Sequence, residues 1–266
     1  MRSFALPAAA MLALVLGPAG AAADLARIKQ SGTLRVVVVP DTRRPEFFSV
    51  KPGAPPGFDH EVLEGFAALH KLKLRVVPVS GWDALIPALR DGKGDIIAGR
   101  FSDTPTRRKQ IDFTSEVFPT RHVVISRKPR RVVETLDQLR AEKVGTFKGS
   151  SMVETIAAAG VPAANVDDGI PPGSFGEHLT SGRITAAVWG VESAIALQRE
   201  DPEIQLGLFL GPPASLAFGV PKGSHELLGV LNQYIGSLRK TASWSRLVVK
   251  YFGEAAPEVL KKARAQ

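Results

Sequence analysis

The residue types that most often carry out covalent or metal chemistry are scarce in this sequence. Its 266 residues include no cysteine, which excludes disulfides, thiolate nucleophiles, thiolate zinc sites and iron–sulfur clusters. The five histidines have no partners at metal-ligand spacing, and the sequence contains no G-x-S-x-G or G-x-x-x-x-G-K segment. We therefore expect no metal, no cofactor and no catalytic residue, and look for chemistry that depends on binding.

The formal charge of +8 leaves nucleic acid, anionic membranes and acidic small molecules as classes of partner. The basic residues form only small clusters, without aromatic residues between them: Arg107–Lys109, Arg127–Arg131 and Lys261–Lys262. A nucleic-acid interface usually combines a basic stripe with interleaved aromatic side chains. We therefore expect no nucleic-acid partner.

Residues 1–23 have the pattern of a secretory signal peptide. Arg2 gives a positive start, residues 4–16 are almost wholly apolar, and Ala21–Ala23 are small enough for signal peptidase. The alternative is a membrane anchor, but the apolar run is shorter than the roughly 20 residues that span a bilayer. We expect an exported protein without a lipid anchor, since no cysteine is available to carry one.

Segments with strand and helix patterns alternate along the rest of the chain. Strands are predicted at 34–39, 74–79, 95–98, 143–147, 184–189 and 204–209, and helices at 58–69, 82–89, 151–160, 192–198, 225–239 and 243–251. Thr104 and Pro105 are typical of a helix start, Asp59 is a candidate N-cap, and Ser151 with Glu154 has capping-box spacing. The tail beyond Gly253 is expected to be loosely held.

This alternation predicts parallel sheets covered by helices on both faces, arranged as two α/β lobes. In open α/β sheets, ligands bind beyond the carboxyl ends of the strands. That rule directs attention to Ser102, to Lys148–Ser151 and to Trp189–Gly190.

Six segments, in order, resemble family 3 of the bacterial extracellular solute-binding proteins, the polar-amino-acid receptors of ABC importers. They are Gly57–Asp59, Gly81–Leu89, Gly94–Thr114, Lys143–Ser151, Ser181–Val188 and Lys250–Gly253. The resemblance extends from about residue 32 to 253. It implies a type II periplasmic binding protein fold, in which two α/β lobes are joined by two hinge strands.

By this similarity, residues 24–120 and 217–266 form one lobe and residues 121–216 the other. The implied function is capture of an amino acid or a small organic anion in the cleft between the lobes. Closure around the ligand is a hinge motion, and the closed monomer then docks on the membrane subunits of an ABC permease. The implied location is the periplasm.

Arg107 matches the family arginine that binds the α-carboxylate of the ligand. A planar guanidinium pairs well with a carboxylate through two parallel hydrogen bonds. The alternative is a solvated arginine, but the first turn of a helix is an unfavourable place for a cation without an anion. We therefore expect Arg107 to bind ligand.

The resemblance places further residues in the same pocket: Trp82, Gly99, Arg100, Ser102, Ser150, Ser151, Trp189 and Gly190. Ser102 offers a hydroxyl, and Ser150 and Ser151 lie where a helix N-terminus holds the carboxylate. The alternatives are helix capping for the two serines and a core position for Trp82.

Three departures from the family pattern concern charge. Gly190 stands where the family usually has an aspartate for the ligand's ammonium group, and Glu192 is the nearest carboxylate. Arg100 replaces a small residue, and Arg43 lies in a loop where an aromatic residue is usual. These changes suggest a ligand that is an organic anion, such as a dicarboxylate; the alternative is a zwitterion whose ammonium group binds Glu192.

Two other functions stay open. The fold also occurs in a periplasmic dehydratase that acts on prephenate-like dicarboxylates, for which Glu192 is a candidate general acid or base. It also occurs in accessory or sensor proteins, such as those that accompany quinoprotein dehydrogenases. A lytic transglycosylase would need a second, catalytic domain, which we do not expect in this sequence.

Overall fold

The computed structural model describes residues 25–40, 46–171 and 173–265. The strands are β1 (Thr33–Val38), β2 (Lys73–Pro78), β3 (Ile96–Ile97), β4 (Asp112–Phe113), β5 (Phe118–Arg127), β6 (Val144–Gly145), β7 (Val166–Asp167), β8 (Ala186–Gly190), β9 (Ile204–Leu216) and β10 (Gly219–Val220). The α-helices are α1 (Leu25–Ser31), α2 (Phe58–Leu69), α3 (Leu85–Arg90), α4 (Pro105–Arg108), α5 (Leu136–Arg140), α6 (Ser151–Ala158), α7 (Phe175–Thr180), α8 (Val191–Glu200), α9 (His225–Leu238), α10 (Ala242–Phe252) and α11 (Ala256–Arg264). One-turn 3-10 helices lie at Trp82–Ala84 and Ala163–Asn165.

The first sheet has the strand order β2-β1-β3-β10-β4. Its valine-rich strand β1 pairs in parallel with β2 and β3, and Val36–Val38 are fully buried. A continuous run of β-branched residues is typical of a parallel strand covered on both faces. We call this sheet and its covering helices the first lobe.

The second sheet has the order β7-β6-β8-β5-β9 and forms the second lobe. Strands β6, β7 and β8 are parallel, whereas β5 is antiparallel to both β8 and β9. The first sheet likewise contains one antiparallel strand, β10. The expectation of purely parallel sheets is therefore wrong, because the first strand after each crossing between the lobes, β5 or β10, runs antiparallel to its neighbours.

Two neighbouring connections join the lobes. Strand β5 begins at Phe118, shortly after β4 ends in the first sheet, and β9 ends at Leu216, shortly before β10 begins. Phe118 and Leu216 pair with each other, so the two crossings lie side by side. The predicted class, two α/β lobes joined by two hinge strands, is confirmed; the lobe boundaries at 120 and 216 stay a prediction.

The C-terminal segment is ordered against the rest of the chain. Helix α11 buries Ala256, Leu260 and Ala263, and it packs against β5 and α8. The Arg121 guanidinium donates a hydrogen bond to the Ala265 carbonyl oxygen at 2.9 Å. The expectation of a loosely held tail is therefore wrong, because an apolar stripe of α11 has a surface to cover.

The capping residues predicted at three helix starts can be compared with those in the structure. Thr104 caps α4 as predicted, since its hydroxyl accepts a hydrogen bond from the Arg107 amide. Helix α2 has the predicted bounds, but its N-cap is Gly57, and Asp59 lies inside the first turn. Ser151 also lies inside its helix, with Ser150 at the N-cap position and no side-chain cap, so the expected capping box is wrong. Within the described ranges, every helix is too short or too polar to cross a bilayer.

Candidate functional site

The candidate site is a pocket of ≈ 350 Å³ where the two lobes face each other beside the crossing strands. Side chains from both lobes line it: Trp82, Arg100, Ser102, Arg107, Thr120, His122, Ser150, Ser151, Met152, Trp189, Gly190, Glu192 and Leu216.

Local sequence determines where Arg107 points. Thr104 and Pro105 start the short helix α4, and Arg107 lies at the third helical position with only 8% of its surface exposed. Its guanidinium donates hydrogen bonds to the carbonyl oxygens of Ser102 at 2.8 Å and Gly149 at 3.2 Å. Because Gly149 belongs to the second lobe, Arg107 connects the two sides of the cleft.

The Arg107 guanidinium has no salt bridge to a described carboxylate, and Glu154 attracts it only at longer range. Its hydrogen bonds to described residues go to neutral carbonyls, and the guanidinium stacks 4.1 Å from the Phe101 ring centroid. Burial lowers its pKa to about 10, so the side chain is still cationic at neutral pH. A buried cation of this kind is costly unless an anion binds to it. The guanidinium is therefore suited to binding a carboxylate.

Hydroxyl groups lie beside Arg107 on both lobes. The Ser151 hydroxyl donates a hydrogen bond to that of Ser102 across the cleft at 3.0 Å. The Ser150 hydroxyl donates to the Phe147 carbonyl at 2.6 Å and so supports the turn that leads into α6. Both serines line the pocket, whereas neither side chain caps α6.

His122 is a pocket residue that the sequence analysis missed, because it considered the histidines only as possible metal ligands. The register of β5 against β8 places it opposite Gly190. Its ring nitrogens lie 2.8 Å from the Thr155 hydroxyl and 3.1 Å from the Ser151 hydroxyl. Burial, followed by the charge of Arg107, lowers its pKa to about 4, so the ring is neutral at neutral pH.

Glu192 supplies the carboxylate that is missing at position 190. A side chain built on Gly190 would lie 2.1 Å from the Glu192 Oε1 atom, so the Glu192 carboxylate fills that space. Its Oε2 atom accepts a hydrogen bond from the Thr120 hydroxyl at 2.6 Å, and burial raises its pKa. The cleft therefore contains an acidic group beside Gly190, and the charge of the ligand stays a prediction.

Asp59 holds the end of the strand that leads into the pocket. Its Oδ2 atom accepts hydrogen bonds from the amides of Gly99 at 2.8 Å and Arg100 at 3.3 Å, and its Oδ1 atom is buried with no hydrogen bond from any described residue. Burial raises its pKa to about 7. Gly99 and Arg100 both have positive φ, at 86° and 63°, so this turn directs the Arg100 side chain across the cleft.

Two tryptophans form the aromatic walls. Trp82 comes from the 3-10 turn of the first lobe, and Trp189 is the next-to-last residue of β8 in the second. Trp189 packs edge-on against Phe147 and Phe175. The indole N–H of Trp82 is buried without a hydrogen-bond acceptor in the described residues, so a donor is available at the pocket wall.

The structure brings most of the predicted site residues together. Those that line the pocket are Trp82, Arg100, Ser102, Arg107, Ser150, Ser151, Trp189, Gly190 and Glu192. Gly99 acts through its backbone, and Arg43 lies outside the described residues. Thr120, His122, Met152 and Leu216 were not predicted, because three of them are on or beside crossing strands that carry no motif. The described residues contain no cluster of three groups able to hold a metal ion.

The fold and the cleft define a two-lobed receptor for a small solute, and a family model agrees. The model for the bacterial extracellular solute-binding proteins, family 3, matches residues 25–254. The chain belongs to this family.

Individual relatives differ in how much of their length the chain spans. It is 26% identical over 238 residues to a probable amino-acid ABC transporter-binding protein of Haemophilus influenzae, covering 88% of this chain and 90% of that protein. It is 26% identical over 235 residues to the membrane-bound lytic murein transglycosylase F of Desulfosudis oleivorans, covering 86% of this chain but 50% of that protein. An ancestral arginine-binding protein bound to glutamine superposes with a TM-score of 0.72 at 28% identity, covering 84% of this chain and 99% of the other.

Proposed function

We propose that this protein is a periplasmic receptor that captures a small carboxylate in the interlobe cleft and delivers it to an ABC importer. The ligand is an amino acid or a small organic anion. The observation that carries the proposal is the buried, cationic Arg107, whose hydrogen bonds go only to neutral carbonyls within the described residues.

The surroundings of Arg107 support a carboxylate rather than a phosphate or sulfate. The pocket offers the Arg107 guanidinium, which has no salt bridge to a described carboxylate, together with the hydroxyls of Ser102 and Ser151 and the indole N–H of Trp82. This set matches a planar, singly charged anion that accepts a few hydrogen bonds. Glu192 lies in the same pocket and is suited to bind an ammonium group on the same ligand.

Contacts across the cleft support capture by closure. Ser151 reaches Ser102, and Arg107 reaches Gly149, so groups that would hold the ligand also join the lobes. A ligand that adds contacts to both sides stabilises the closed arrangement over the open one. The relative named as an ABC transporter-binding protein supports import as the purpose, and the signal-peptide pattern of residues 1–23 supports the periplasm.

The experiment is a ligand screen on the chain without residues 1–23. Thermal shift and calorimetry are run with neutral, acidic and basic amino acids, 2-hydroxy acids, 2-oxo acids and dicarboxylates. The bound carboxylate should raise the melting temperature of the wild type, since a ligand that binds only the folded state stabilises it. The Arg107→Met variant should lose that response, while Arg108→Met should keep it, because Arg108 is exposed and pairs with Asp103 outside the pocket.

Two results would overturn the proposal. One is tight binding of a ligand that has no carboxylate; the other is an unchanged ligand response in Arg107→Met. A change of melting temperature in the unliganded variant does not decide the matter, because Arg107 also ties Ser102 to Gly149.

A dehydratase is the second candidate, and Glu192 is the reason to test it. This buried carboxyl has a raised pKa and lies in the same pocket as Arg107, which is an arrangement suited to general-acid chemistry on a carboxylate substrate. We propose a receptor that is not an enzyme, so incubation with prephenate should give no phenylpyruvate absorbance. Turnover that is lost in Glu192→Gln would establish the dehydratase instead.

A further inference from the structure

Besides Arg107, the pocket contains a second arginine side chain, that of Arg100. The guanidinium carbon of Arg100 lies 5.8 Å from the ring centroid of Trp82 and 5.6 Å from that of Trp189. Its Nη1 atom donates a hydrogen bond to the Ser193 hydroxyl at 2.9 Å. Since Trp82 belongs to the first lobe and Ser193 and Trp189 to the second, Arg100 extends from one lobe into the other.

The groups around this guanidinium are those of a cation subsite. Two aromatic rings of the kind that attracts cations flank it, and a hydroxyl accepts a hydrogen bond from it. Two buried carboxyls, Asp59 and Glu192, interact electrostatically with Arg100. A guanidinium or ammonium group on a ligand would be recognised by the same set of groups if Arg100 were absent.

The backbone is arranged so that Arg100 enters this subsite. A residue other than glycine at a φ of 63° is uncommon, because its side chain crowds the backbone. The Asp59 carboxylate holds the turn by accepting from the amides of Gly99 and Arg100. A side chain placed by a strained turn and a buried carboxylate is fixed in position, unlike a flexible surface arginine.

We propose that Arg100 is the specificity-determining residue of the cleft, because it occupies the subsite that would otherwise take the cationic side chain of a ligand. The inference rests on the proposed function and narrows its ligand class. The protein selects short carboxylates, such as small neutral amino acids or short hydroxy and oxo acids. It excludes arginine and lysine, whose side chains would compete with Arg100 for the same space and charges.

The test is a gain of binding in Arg100→Gly, which removes the guanidinium and also relieves the positive φ. Arginine and agmatine are titrated into the wild type and the variant by calorimetry; agmatine carries the guanidinium but no carboxylate. The wild type should bind neither, whereas the variant should bind arginine at least ~10-fold more tightly than the wild type does. Agmatine should also gain affinity, but less than arginine.

Two controls make the gain specific, and a further variant replaces Arg100→Gly if that protein does not fold. Arg100→Lys keeps a cation in the subsite and should gain nothing. Arg90→Gly removes an exposed arginine at the end of α3 and should leave all titrations unchanged. Arg100→Asn serves if the glycine variant does not fold, since asparagine also tolerates a positive φ.

The outcomes separate this inference from the proposed function. If the wild type binds a short carboxylate but neither Arg100→Gly nor Arg100→Asn gains arginine or agmatine, the role of Arg100 is refuted and the receptor function stands. If the variants gain agmatine as strongly as arginine while no carboxylate binds the wild type, the cation subsite stands and the carboxylate receptor falls. Tight binding of arginine by the wild type overturns the inference without any variant.

Discussion

Substitution of Gly149 by alanine should prevent the lobes from closing without preventing the protein from folding. Gly149 has a φ of +72°, and a Cβ atom built there would lie 2.6 Å from the Asp83 amide nitrogen and 2.9 Å from the Asp83 Cβ. Gly149 precedes α6 in the second lobe, whereas Asp83 is in the first. The clash in Gly149→Ala therefore exists only while the cleft is closed.

The size of the effect follows from the distances. Contact at an ordinary van der Waals separation needs the two loops to move apart by about 1 Å. The hydrogen bond from Arg107 to the Gly149 carbonyl, now 3.2 Å, would then be broken. A hydrogen bond from a charged group contributes about 1.5–3 kcal/mol. Gly149→Ala should therefore weaken ligand binding by about 10- to 100-fold.

Gly182 provides a matched control in the same lobe. Its φ is +73°, and a Cβ atom there would meet nothing within 4 Å. An alanine in the left-handed region costs about 1–2 kcal/mol, so both variants should lose a similar free energy of unfolding. Calorimetry with the carboxylate found in the screen should show weaker binding in Gly149→Ala alone. Small-angle scattering should show that this variant no longer contracts when ligand is added.

Equal affinity in Gly149→Ala and Gly182→Ala would refute the reasoning. It would mean that the contact between Gly149 and Asp83 is not required for the liganded state. Weaker binding in both variants to the same degree would show that lobe stability, rather than closure, controls affinity.

Three further predictions concern buried groups and the C-terminal helix. Because burial raises the pKa of Asp59 to about 7, the folded state binds the carboxyl proton more tightly than the unfolded chain does. The stability gained from this proton is lost as pH rises from about 4 to 7. Urea titrations over that pH range should therefore show that the free energy of unfolding falls more steeply with pH in the wild type than in Asp59→Asn. His122 should have the opposite pH dependence, because its pKa is lowered to about 4 in the folded state. The unfolded chain binds the imidazole proton more tightly, so the free energy of unfolding should fall as pH drops from about 6.5 to 4, and His122→Gln should reduce that loss. Leu260→Ala should cost about 2–4 kcal/mol of unfolding free energy, while Lys261→Ala on the exposed side of α11 should cost almost nothing; equal effects of these two would contradict the packing of α11.

Short sequence patterns were sufficient to predict the elements that have clear capping residues or a continuous apolar run. Thr104 and Pro105 determine where α4 starts, and the valine run of β1 determines a buried strand; both are present as predicted. The same local logic failed for Asp59, whose carboxylate binds the amides of Gly99 and Arg100 some 40 residues along the chain. A long-range partner for a side chain cannot be deduced from its neighbours in sequence, and here it outweighs the local capping preference.

Most residues of the candidate site could be predicted from the sequence, but the positions of Glu192 and His122 in it could not. Arg107 and the serines came from a motif, and each lines the pocket. That Glu192 takes the space beside Gly190 depends on the backbone turn at the start of α8, where the chain changes from strand to helix. His122 belongs to the site through the register of β5 against β8, and register is a property of the assembled sheet rather than of either strand.

The position of β10 has a consequence for the order in which the chain can fold. This short strand lies between β3 and β4 in the first sheet, yet the chain reaches it only after completing every strand of the second sheet. During synthesis, the second sheet can therefore assemble from one continuous stretch while the first still lacks a central member. Contacts that close such long loops form slowly. The first sheet therefore cannot be completed until residues 219–220 have been made, so the second lobe can fold while the first is still open.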